Sequence, residues 1–338
     1  MTRPSHDTTS PSDHTLRLRS PADVVEMVPY LLGFQPENSL VVLALKHDDG
    51  SDRVGVVARV DRAPVDSADV AEALDQLFAA VCRNGAEQVI AVFYGTRPGS
   101  DEVRALRWAG QRAGCDLVDV LAVGERTWRS VVCRDTRCCP PGGHALPSGA
   151  GELAAAATYA GMVARPDRAS VEAILAPAPE AEHEALREDL AAADAALDRS
   201  VAAGLAGRVE RSAIRALFAA SRRLGVLTAA ETCRFGVALR RTAVRDACWI
   251  AVDERRIDGD GLWRELARRL PDKYAAAPLF LFGWLQWRSG NGTLATMAAQ
   301  RALAADPDYS AAAMLHTAVQ HGLNPFTTPR LRRRGGTR

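Results

Sequence analysis

Residues 39–45 and 88–94 are two nearly unbroken apolar runs, rich in Val, Leu and Ile. Runs of this length without polar alternation predict strands buried on both faces. Between them, Val54, Val56, Ala58 and Val60 recur at every second position, as in a strand with one apolar face. His47-Asp48-Asp49-Gly50-Ser51-Asp52 has turn chemistry and predicts a hairpin. A helical period covers 70–82 and is ended by Asn84-Gly85. A second helix follows Gly99-Ser100 and stops near Ala113-Gly114. A strand over 117–123 can pair with 127–132. Strands alternating with helices argue for a partly parallel sheet. Beyond residue 150 the strand signal fades, apart from a short run at 173–175, and 180–322 reads as helix after helix.

The pattern predicts an α/β fold, with an N-terminal mixed sheet flanked by helices, followed by an all-helical C-terminal domain. The expected boundaries are a disordered polar tail (1–15), the α/β domain (16–165), the helical domain (166–325) and a basic disordered tail (326–338). Val41, Leu43, Val56, Val89, Ile90 and Val92 are expected to be buried in one sheet. Ser20, Pro21 and Asp23 form a helix start, which is expected to stop near Val28 because of Pro29. Thr228 and Glu231 form a second capping box. Residues 275–321 resemble a single degenerate tetratricopeptide-like hairpin, with Gly283, Ala295, Ala302 and Pro307 at the small-residue and proline positions. Leu279 and Gln286 stand where that repeat carries aromatics. A single copy implies a helix-packing solution rather than an array.

A chain of 338 residues is long enough for two domains with real cores. The net charge of +1 creates no global field favouring nucleic acid or an anionic membrane. No apolar run reaches the roughly 18 residues of a membrane span. The start of the chain lacks the apolar core of a secretory signal. Seven cysteines are therefore expected to be reduced thiols in the cytoplasm rather than a disulfide framework.

Two segments carry candidate chemistry. In Pro29-Tyr30-Leu31-Leu32-Gly33-Phe34, leading through Pro36 to Ser39, the glycine can take positive φ and the proline stiffens the approach to the strand. Tyr30 and Ser39 can aim polar atoms into a pocket at the end of the sheet; equally, the loop can plug the core. The second segment runs from Cys133 through Cys138-Cys139-Pro140-Pro141 to His144. Three thiols and an imidazole form a conceivable zinc set. Cys133 and Cys138 are the better pair, because side chains of adjacent Cys138 and Cys139 are expected to aim apart. The bland reading is a packed thiol loop. Both segments resemble an actinobacterial family known only as a domain of unknown function, with a PYLLGF-x-P-x-x-SLVV opening and a Cys-Cys-Pro-Pro segment. That resemblance implies no catalytic residue, because the family has no assigned activity.

Residues 180–199 are acidic, whereas 208–245 carry nine arginines opposed by Glu210 and Glu231. Acidic segments on both sides are expected to neutralise them, so sequence-specific DNA binding is not expected. Trp249, Trp263, Trp284 and Trp287 lie at helical positions and read as core fillers. Walker, GxGxxG, HExxH and GxSxG motifs are absent. Tyr94 sits where open α/β sheets bind ligands, at a strand's carboxyl end.

Three readings follow. One is a cytoplasmic binding or scaffolding protein with a protein partner or small ligand. Another is an enzyme with a pocket at the sheet edge using Tyr30, Gly33, Phe34, Ser39, Arg59, Asp61 and Tyr94. The third is a nucleic-acid binder using the arginine-rich helices. No cofactor is expected beyond a structural zinc at Cys133, Cys138, Cys139 and His144.

Overall fold

The computed structural model describes residues 16–48, 51–62, 68–83, 85–223, 225–257 and 259–331. The tail expected over 1–15 and the tip of the first hairpin (49–50) lie outside them. The chain forms two compact units, 1–168 and 169–338.

The first unit begins with helix α1 (Pro21–Leu32). The Ser20 hydroxyl accepts from the Asp23 amide, and the Asp23 carboxylate accepts from the Ser20 amide, which closes the expected capping box. The helix does not stop at Val28. Pro29 is buried inside it, and the last turn continues to Leu32. Pro29 forfeits one backbone bond, but it stands only one turn from the end and its carbonyl still accepts from Gly33 at 2.9 Å. Gly33, at φ 85, supplies the left-handed cap that a side chain would disfavour.

Six strands follow in the sheet order β2-β1-β3-β4-β5-β6. They are β1 (Ser39–Asp48), β2 (Ser51–Asp61), β3 (Gln88–Tyr94), β4 (Asp116–Val123), β5 (Thr127–Ser130) and β6 (His144–Ala145). Helices α2 (Ala68–Cys82), α3 (Ser100–Ala113) and α4 (Glu152–Tyr159) complete the unit. β1 pairs antiparallel with both β2 and β3. β3 and β4 are parallel and joined through α3, so the sheet is mixed, as the alternation predicts.

On one face, Leu40, Val42, Val89, Ala91, Phe93 and Val120 form a core with Leu74, Leu77 and Phe78 of α2 and Leu106 of α3. Val41, Leu43, Val92 and Leu121 point the other way and are also fully buried. Phe34, just past α1, lies 6.0 Å from the guanidinium of Arg59, the cross-strand partner of Val41, so the end of α1 meets this second face. All six residues expected in one sheet are there, but Val56 and Ile90 are half-buried. Val56 is on β2, which has a strand neighbour on only one side.

One cysteine expectation is corrected. Cys82 and Cys115 are joined by a disulfide, with Cα atoms 6.5 Å apart. The end of α2 and the start of β4 meet where β3 begins, which brings together residues that no sequence motif links.

The second unit is helical: α5 (Arg168–Glu172), α6 (Glu180–Ala185), α7 (Arg187–Ala202), α8 (Ala206–Ser221), α9 (Ala229–Leu239), α10 (Thr242–Asp253), α11 (Asp260–Arg269), α12 (Asp272–Arg288), α13 (Gly292–Ala305) and α14 (Ser310–Gln320). The run at 173–175, expected as a strand, is a 3-10 turn closed by Ala176 onto Ala173. Three residues with no partner strand cannot satisfy their backbone in any sheet. Thr228 and Glu231 form the expected capping box. Gly283 of α12 is small because a Cβ there would come within 2.9 Å of Leu315 and 3.0 Å of Ala298. Trp263, Trp284 and Trp287 are buried, and Trp249 packs edge-on to Phe280 and Trp284.

The acidic and basic helices pair. Asp194 accepts from Arg240, Lys273 and Tyr274 at 2.8, 2.9 and 2.6 Å. Burial alone would raise this carboxyl, but those three donors hold it below the ordinary carboxylate range. Asp253 is wholly buried and accepts from Trp284 (2.9 Å), Arg288 (2.6 Å) and the Leu331 amide (2.5 Å). Arg288 also donates to the carbonyls of Pro325, Thr328 and Pro329. Residues 326–331, expected as part of a frayed end, are therefore tied down.

Two outcomes follow from this architecture. Thiol titration of the denatured, unreduced chain should count five reactive groups; a count of seven would remove the bridge. Arg288→Met should cost about 3 kcal/mol in urea unfolding, because it leaves the Asp253 carboxylate buried without its cation. It should also speed proteolysis near residue 328, and an unchanged midpoint would refute the clamp.

Candidate functional site

Two sites merit description, both in the first unit. The first lies at the end of the sheet. Ser39 opens β1 and is the cross-strand partner of both Asp61, the last residue of β2, and Tyr94, the last residue of β3. Cross-strand partners share a face, so these side chains converge. Ser39 is fully buried. Its hydroxyl donates to the Glu37 carbonyl and accepts from Arg59 Nε at 2.9 Å. Arg59 also grips the exposed Asp61 carboxylate at 2.6 Å. Phe34 lies beneath the Arg59 guanidinium. Asn38, at φ 38, occupies the left-handed region without being glycine. Nearby, Arg62 forks onto Glu102 at 2.9 and 2.7 Å and reaches Thr96 at 2.5 Å. This ties the end of β2 to the start of α3.

Tyr94 is the exception in this satisfied network. Its hydroxyl is buried and has no hydrogen-bond partner among the described residues, and burial pushes its pKa above the ordinary phenol range. Five of the seven expected pocket residues, Phe34, Ser39, Arg59, Asp61 and Tyr94, thus gather at one end of the sheet. Gly33 caps α1 and bonds through its carbonyl to the Arg165 amide. Tyr30 stays half-buried on α1, and no polar contact joins it to the group among the described residues.

The second site is the loop between β5 and β6. The Asp119 carboxylate accepts from the Ser130 hydroxyl at 2.6 Å, and that hydroxyl accepts from the Cys133 amide at 3.1 Å. This relay fixes where the loop begins. A turn closed by the Cys139 amide on the Asp135 carbonyl (2.8 Å) then brings the chain back. The Sγ atoms of Cys133, Cys138 and Cys139 all lie within 4.8 Å of one another. The expectation that the two adjacent thiols aim apart is corrected. In a helix-like turn neighbouring side chains diverge by about 100° rather than the 180° of a strand, and Cys133 folds back onto both.

His144 is not part of the cluster. Its ring stacks on Trp128 at 4.8 Å, and its Nε2 sits 2.8 Å from the Cys138 carbonyl. A carbonyl only accepts, so Nε2 carries the proton. Cys139 is buried, Cys133 intermediate and Cys138 exposed. Burial, and then the hydrogen bond with Cys133, push Cys139 up to about 11. The three sulfurs form a set that could hold a metal ion.

A family model described as a domain of unknown function, DUF4192, matches residues 21–326. The chain belongs to the DUF4192 family. No curated protein and no solved structure matches it. Both sites of this DUF4192 chain fall inside the matched residues. No described helix is long and apolar enough to cross a membrane. A cleft of about 700 Å³ lies in the helical unit, lined by residues including Ala178, Arg223, Leu227, Glu265 and Arg269. Of its four arginines, Arg223, Arg264 and Arg269 pair with Glu231, Asp260 and Glu265, and Arg268 donates to the Ala176 carbonyl.

Sequence reasoning missed Asp119 and Ser130, which position the thiol loop. A signal was present, since Asp119 is the one charged residue inside the apolar run 117–123. Tyr94→Phe should raise stability by about 1 kcal/mol, because it removes a buried hydroxyl that bonds nothing. Ser39→Ala should cost about 1–2 kcal/mol by leaving the Arg59 Nε without its acceptor. Thermal unfolding of both variants checks this, and a destabilised Tyr94→Phe would mean that the hydroxyl has a partner.

Proposed function

We propose that this DUF4192 chain is a binding protein whose N-terminal unit carries, on the loop between β5 and β6, a zinc ion held by the thiolates of Cys133, Cys138 and Cys139. One observation carries the reading: three sulfurs from one short loop converge within 4.8 Å. Zinc–sulfur bonds of about 2.3 Å put the sulfurs of a tetrahedral centre about 3.8 Å apart. The thiols therefore need to close by only about 1 Å. Thiolates are soft ligands and favour zinc or monovalent copper over magnesium and calcium. The Asp119–Ser130 relay acts as an outer shell that orients the first ligand.

The sheet end supports ligand docking better than catalysis. Ser39 donates its proton to a backbone carbonyl and so lacks the neighbouring base that would make it a nucleophile. Tyr94, with its pKa raised by burial, stays protonated at neutral pH and can only donate to or accept from a ligand. A small polar ligand held there is the second part of the proposal, and it is supported by the buried Tyr94 hydroxyl, which finds no hydrogen-bond partner among the described residues.

Metal analysis tests the zinc. Protein purified without chelator should carry about one zinc per chain, and a chelator should lower its melting temperature, since metal binding contributes folding free energy. Cys139→Ser should lose the metal, whereas His144→Ala should keep it. Absence of metal together with identical melting in chelator would leave a packed thiol loop.

A further inference from the structure

We infer that the fourth coordination position of the zinc site is open and takes an exogenous thiolate from a small molecule. The inference rests on the zinc reading above. A closed structural centre needs four protein ligands, whereas a site with three keeps a position for water or another ligand. The other donors near the loop stand outside the set of three sulfurs. His144 holds the Cys138 carbonyl through Nε2 and stacks its ring on Trp128, and its ring nitrogens are not among the grouped ligand atoms. The Asp135 carboxylate accepts from the Arg137 amide at 2.9 Å and pairs with the Arg137 guanidinium. Among the described residues no further His, Cys, Asp or Glu joins the three thiols.

The burial of the three cysteines gives the open position a direction. Cys139 lies at the buried side and Cys138 at the solvent side. A donor arriving from solvent therefore meets the metal past Cys138.

Charge and softness select the donor. Zinc with three thiolates carries one net negative charge, and a fourth thiolate makes it two. Arg134 and Arg137 are exposed on the same loop, and Arg129 donates to the Pro141 carbonyl at its far end, so residues 129–141 carry three arginines against the single Asp135 carboxylate. A set already made of sulfur prefers a soft donor to water. In the exchange, the thiol gives its proton to solvent, its sulfur bonds the metal, and the bound water leaves. Zinc remains divalent and no electron moves.

The test loads the full chain with cobalt(II) in place of zinc and titrates it with 2-mercaptoethanol, while the retained metal is measured. The sulfur-to-cobalt absorption should rise by about a third, saturably, as three metal–sulfur bonds become four. His144→Ala should behave as the native chain does. A spectrum indifferent to the thiol would overturn the inference while leaving the metal site standing, as would loss of cobalt to the thiol, or a spectrum changed by His144→Ala before thiol is added. A chain that takes up no cobalt at all, visible before any thiol is added, would overturn both readings.

Discussion

The first unit depends on the pairing of β1, β3 and β4, three adjacent strands whose central residues are buried on both faces. Backbone groups there can be satisfied only by neighbouring strands, which makes the ladder obligatory. Burial on both faces requires cover on both sides: α2 and α3 on one, and the segment ending in Phe34 on the other. At the strand ends, where the apolar runs stop, Ser39, Asp61 and Tyr94 meet. The candidate ligand site is thus a consequence of where the apolar runs stop.

The thiol loop is positioned by the same sheet. Asp119 interrupts β4, and its carboxylate needs partners at that depth. Ser130 of β5 and the Val120 amide provide them. Ser130 then fixes Cys133, so a polar residue placed in a strand ends up setting the first ligand of a thiol set. Convergence of three sulfurs needs a fixed loop, because an unanchored chain would lose much conformational entropy on gathering them.

In the helical unit, electrostatics are local and paired. Asp194, Glu210 and Glu231 each hold an arginine, and Asp253 holds Arg288 at the centre of a buried network. Of the nine arginines in 208–245, Arg223, Arg240, Arg241 and Arg245 are held in such pairs. The Asp253–Arg288 pair also collects the last described segment onto α10 and α12.

The sequence by itself determined the apolar runs that become β1 and β3, the βα alternation, the capping boxes at Ser20 and Thr228, and the small residue at Gly283. Each is set by neighbours within a few positions, where propensity and period act directly. The same locality explains the misreadings: Pro29 predicts an early helix end and 173–175 a strand, until burial and the lack of a partner strand decide otherwise. Only the tertiary structure decided that Cys82 meets Cys115, that Cys139 turns toward Cys133 while His144 turns to Trp128, and that the Tyr94 hydroxyl is buried with no partner among the described residues. Those outcomes rest on distances between residues far apart in the chain, and side-chain direction at a turn depends on backbone angles that residue identity does not fix.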